Sequence, residues 1–163
     1  MPDTVTVQKN PTASWKLPFS AAGFSVLLRA MLDEAGYEGA AVELALLDDE
    51  SMESLNQDSM DCVGPTNILS FPAGYEDADI ADAAGARGAF GADEGERPVL
   101  GWLALSADTL LRECFLYGQD AEAHCIRLLA HGLAHLMGQD HGPEMDSLAG
   151  RMEAAAYAAR RFR

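Results

Sequence analysis

Apolar positions along the chain alternate between two periods. From Ser20 to about Ala35, Phe24, Leu27, Leu28, Met31 and Leu32 fall three or four residues apart, which predicts an amphipathic helix stopped by Gly36. Short β-branched or continuously apolar runs predict strands at 3–8 (DTVTVQ), 40–47 (AAVELALL), 67–71, closed by Pro72, and 98–105 (PVLGWLAL). The acidic start of DDESMESLNQ, with Met52 and Leu55 spaced behind it, predicts a short helix. Three more helices are expected at about 106–117, 120–137 and 143–160. Strands thus alternate with helices early and only helices follow, which predicts an α+β domain whose helical layer carries the site.

Length and composition narrow this picture. At 163 residues the chain is expected to form one domain spanning 1–163, with a core that needs no disulfides. Residues 74–97 (GYEDADIADAAGARGAFGADEGER) carry seven acids against two arginines without periodicity, and read as a mobile acidic loop. The formal net charge of −15 excludes a protein that coats nucleic acid through phosphate neutralisation, so any contact with RNA must be local. Arg151, Arg160, Arg161 and Arg163 read as cations at a solvated helix end. Cys62, Cys114 and Cys125 are an odd set without C-x-x-C spacing and read as reduced, packed thiols. The N-terminus lacks the basic and apolar regions of a secretory signal, and no apolar run approaches a membrane span, so a cytoplasmic protein with no membrane partner is expected.

The candidate chemistry lies in HGLAHLMGQDH, residues 131–141. His131 and His135 share one face of the expected helix, about 6 Å apart along its axis at ~1.5 Å per residue, so both imidazoles reach one ion at Zn–N distances of about 2.0–2.1 Å. Gly138 is placed to turn the chain so that His141 folds back as a third ligand, leaving an open fourth position of the catalytic kind. His124 lies too far along the helix to share the ion and reads as a core histidine or a support for the site. The spacing H-x3-H-x5-H also fits the metzincin zinc peptidases, but their catalytic glutamate is Gly132 here, and glycine cannot take a proton.

HGLAHLMGQDH also resembles the H-G-x-L-H-L-x-G-x-D-H signature of the YbeY family of bacterial endoribonucleases, with Ala134 the single departure. A second block, PTNILSFP at 65–72, is similar to that family's P-T-[DN]-V-L-S-F-P. The resemblance covers roughly residues 40–155. It implies a small mixed sheet packed against helices and one divalent metal held by His131, His135 and His141. That metal would be Zn²⁺, although Ni²⁺ fits the same ligands. It further implies single-strand RNA cleavage in rRNA maturation and ribosome quality control. The implied partners are ribosomal RNA, the small ribosomal subunit and its assembly proteins, not DNA.

In the reading that follows, the three histidines act through the water that their metal activates, with Asp140 as the candidate base. Thr66, Asn67, Ser70 and Arg127 are candidate substrate contacts. Two positions depart from the family pattern: Met60 in NQDSMDCVGPT stands where arginine is expected, and Trp102 in LGWL where aspartate is expected. Both changes remove polar groups. Either another cation such as Arg112 or Arg127 substitutes, or the chain is a weakly catalytic or non-catalytic ribosome-assembly factor with a structural metal. A zinc peptidase with a base recruited from Asp140 or Glu144 is the remaining alternative.

Overall fold

The computed structural model describes residues 5–11, 13, 16–60, 66–73 and 99–160, with the side chains of 58–60 excepted. Four strands, β1 (Val5–Lys9), β2 (Ala41–Leu47), β3 (Ile68–Pro72) and β4 (Val99–Ser106), form one sheet in the order β1-β2-β4-β3. β1, β2 and β4 run parallel, and β3 lies antiparallel to β4 at the edge. The described helices are α1 (Ala21–Glu34), α2 (Asp49–Met60), α3 (Ala107–Tyr117), α4 (Ala121–Leu136) and α5 (Pro143–Ala159). The fold is α+β with a mixed sheet, and each predicted element is present with its ends displaced by at most three residues. The expected acidic loop at 74–97 and Cys62 lie outside the described residues.

Local chemistry sets the helix ends. Ser20, Ser106 and Asp120 each cap a helix by accepting from the backbone N–H three residues on, and Gly118 ends α3 in the left-handed conformation, φ 63°. The two central strands are buried on both faces, which is why they read as continuous apolar runs rather than alternating ones. One face presents Val42, Leu44, Leu46, Leu103 and Leu105 to a core completed by Phe24, Leu27 and Met31 of α1, Leu129 and Leu133 of α4, and Met152 of α5. The other face carries a smaller cluster of Ala45, Leu47, Phe71, Trp102 and Ala104, covered by Met52 and Leu55 of α2.

Trp102 belongs to this second cluster, 5% exposed, with its ring stacked on Phe71 at 4.2 Å between centroids. Its neighbour in the pairing is Glu43, wholly buried, whose two carboxylate oxygens find no hydrogen-bond partner. Burial pushes this carboxyl up to about 7. Cys125 is buried in the main core and Cys114 is half-buried beside it, both free thiols with raised pKa because burial disfavours the thiolate. Arg160, of the expected basic helix end, bonds Glu122 across to α4 at 2.6 Å and lies over the Tyr157 ring.

Candidate metal centre

α4 runs along the edge of the sheet and brings His131 and His135 to the rim of β3, one turn apart. The helix ends in a Schellman turn: Gln139 N–H donates to the Ala134 carbonyl and Gly138 N–H to that of His135, at 3.1 and 3.0 Å. Gly138 adopts φ 85°, which a side chain would disfavour, and the reversal returns His141 to the two helical histidines.

The three rings converge. Centroid separations are 4.7 Å for His131–His135, 5.3 Å for His131–His141 and 5.0 Å for His135–His141. One ring nitrogen of each lies within 4.8 Å of those of the other two, so the triad can hold a metal ion. His135 Nδ1 lies 3.1 Å from the Gln139 carbonyl. A carbonyl can only accept, so Nδ1 carries the proton and Nε2 is left bare. That bare Nε2 faces Nε2 of His131 at 3.2 Å. Two ligands of one tetrahedral zinc at about 2.0–2.1 Å lie roughly 3.3 Å apart, so the spacing matches the donor set. Burial, followed by the neighbouring His135 and His141, lowers the His131 pKa against a raising contribution from Asp146, which favours the neutral imidazole a metal requires.

The histidines open onto a cleft of about 470 Å³ whose opposite wall is Asn67, Ile68, Leu69, Ser70, Phe71 and Pro72, six consecutive residues running through edge strand β3. Ser70 Oγ donates to the Gly132 carbonyl at 2.9 Å, pinning that wall to the helix. Gly132 explains the close approach: a Cβ there would lie 2.8 Å from Ile68 Cδ1, 3.0 Å from Leu103 Cδ2 and 3.3 Å from Ser70 Oγ. The position that holds glutamate in the peptidases is here pressed against the sheet, and any side chain there would require Ile68 and Leu103 to shift.

Of the expected substrate contacts, Asn67 and Ser70 line this cleft, whereas Thr66 and Arg127 are not among the described residues that do. Asp140 is exposed beside His141 and does not line the cleft either. Trp102 points to the opposite sheet face, and the Met60 side chain lies outside the described set. Arg112, a candidate replacement cation, is paired with Asp49. The Gln139 carbonyl was not foreseen from sequence, since nothing in a glutamine codon position marks its backbone as a histidine's partner; only the glycine turn before it carried a signal.

Fold and site together define a small α+β domain with a histidine-triad centre on the rim of a mixed sheet. The chain belongs to the YbeY family: the family model described as Endoribonuclease YbeY matches residues 12–159. A protein named Endoribonuclease YbeY from Nitratidesulfovibrio vulgaris is 45% identical over 152 residues, covering 93% of each chain. Its namesake from Oleidesulfovibrio alaskensis is 43% identical over 137 residues, covering 80% of this chain and 79% of its own. In fold, the chain is similar to the solution structure of TM1509 from Thermotoga maritima, with a TM-score of 0.61 at 15% identity over 96% of this chain and 91% of that one.

Proposed function

We propose that this protein is a metal-dependent single-strand endoribonuclease acting on ribosomal RNA during maturation and quality control of the small ribosomal subunit. The observation that carries the reading is the convergence of His131, His135 and His141 on one point of a cleft in a member of this family. His131, His135 and His141 would hold one Zn²⁺ or a similar ion such as Ni²⁺. When bound, that ion supplies Lewis acidity and lowers the pKa of water toward ~7.

The chain's own residues supply position. His135 is oriented by the Gln139 carbonyl, and the bond from Ser70 to Gly132 holds β3 at a set distance from α4. Asn67 offers a neutral hydrogen bond to phosphate or ribose oxygens, with Thr66 just before it on the approach to β3. Arg127 would act from outside the cleft on a longer strand. Asp140, exposed beside His141, is the candidate to take a proton at the cleft mouth. The packing of Gly132 disfavours a glutamate at that position, so the peptidase alternative depends on a base recruited from Asp140 or Glu144. Among the described residues no helix is long and apolar enough to cross a membrane, and a cytoplasmic location is part of the proposal.

The test is single-stranded RNA cleavage by metal-loaded wild type beside His135→Ala, with elemental analysis of both. Wild type is expected to carry about one divalent ion per chain and to cleave, while the variant loses both properties. Undiminished cleavage by the variant would overturn the site. An inactive, metal-replete wild type that cosediments with the small subunit would favour the non-catalytic assembly factor.

A further inference from the structure

A line of side chains leads away from the cleft through α3 and α4. Arg127 Nη1 lies 3.2 Å from His124 Nδ1, His124 Nε2 lies 3.3 Å from Glu113 Oε1, and Asn67 Nδ2 donates to the same Oε1 at 3.4 Å. The chemistry of its ends sets every orientation. Guanidinium only donates, so His124 Nδ1 accepts; carboxylate only accepts, so His124 Nε2 carries the proton and donates to Glu113. His124 is buried, as a fixed link in such a line should be. At the far end, Asn67 Oδ1 accepts from Ile68 N–H at 2.7 Å, which excludes the flipped amide because two donors would then face each other. Asn67 is also held by its backbone, whose carbonyl accepts from Ser106 N–H at 2.8 Å.

We infer that Glu113, itself held by His124, is a positioning residue that fixes the Asn67 carboxamide so that its second, unclaimed N–H faces substrate in the cleft. An asparagine amide has two N–H donors; with one given to Glu113, only the other remains for an incoming oxygen. Asn67 lines the cleft with the three histidines, whereas Glu113 and His124 do not touch it. Within the cleft their effect on the reaction therefore passes through Asn67. The substrate group recognised is a phosphate or ribose oxygen, so this inference rests on the nuclease reading above.

Glu113→Ala should raise KM for a single-stranded RNA oligonucleotide about three- to tenfold, the range for one neutral hydrogen bond, with kcat and bound metal unchanged because the bond forms in ground and transition states alike. Glu113→Gln keeps an acceptor oxygen and should restore most of the loss. In an Asn67→Ala background, Glu113→Ala should have no further effect, because the positioned group is already gone. Additive losses in that background, or failure of glutamine to rescue, would overturn the inference. A readout independent of catalysis separates it from the nuclease reading: in the nitrogen-15 NMR spectrum, one Asn67 side-chain proton should resonate downfield in wild type and in Glu113→Gln, and lose that shift in Glu113→Ala. An unchanged Asn67 signal in Glu113→Ala refutes the positioning even if the protein cleaves no RNA.

Discussion

Glu43 is a single acid inside the apolar run AAVELALL, and its carboxyl is buried without a partner on the sheet face that carries Trp102. With desolvation raising its pKa from 4.5 to about 7, the folded chain retains a proton that the unfolded chain releases. Because the native state binds more protons across that window, stability falls as pH rises from 4.5 to about 7 and stays reduced above it. The full effect is on the order of 3 kcal/mol, at about 1.36 kcal/mol per unit. Glu43→Gln should remove it: urea midpoints of wild type should drop more between acidic and alkaline buffer than those of the variant. Parallel pH profiles would show that Glu43 is ionised in the fold. The same scale shows why Gly132 is glycine. Helical spacing places it one residue after a ligand, but only the nearness of Ile68, Leu103 and Ser70 shows that any Cβ would collide with the sheet.

At the scale of elements, β4 separates two environments by the alternation of its side chains. Leu103 faces α4 beneath the metal cleft, and Trp102 faces α2 and stacks on Phe71. An aspartate at 102 would therefore enter the smaller core rather than the cleft. Trp102→Asp is expected to cost at least about 3–5 kcal/mol from lost packing, with no gain in RNA cleavage. A variant that melts like wild type and cleaves faster would refute this placement. The strands and helices themselves were legible in the sequence, because periodicity and caps are local signals: Ser20, Ser106 and Asp120 cap where the apolar pattern begins. The side of the sheet that each strand residue faces was not legible for β2 and β4, since strands buried on both faces show no alternation to read.

For the whole molecule, the net charge of −15 and a cleft without a lysine or arginine among its described lining residues make phosphate neutralisation a minor part of binding. Each cation contact to single-stranded RNA contributes about −0.7 to the slope of log K against log salt. A slope shallower than about −2 is expected for an oligonucleotide bound by this protein, measured by fluorescence anisotropy across a series of monovalent salt concentrations. A slope steeper than about −3 would place several phosphates on a cationic surface outside the cleft. The pairing of Arg112 with Asp49 and of Arg160 with Glu122 agrees with the shallow expectation, since these cations are already engaged.

By itself, the sequence determined the α+β order of elements and the three metal-ligating candidates, because a two-histidine helical spacing followed by a turn-forming glycine is dictated within eleven residues, 131–141. Only the tertiary structure decided what stands opposite them. Asn67 and Glu113 meet across 46 positions of chain, and Gly132 reaches Ser70 across 62. Glu43 comes beside Trp102 through the register of two parallel strands. Such contacts depend on which face of each strand turns toward which helix, and a pairing register is settled by the packing of the whole sheet, not by any segment within it.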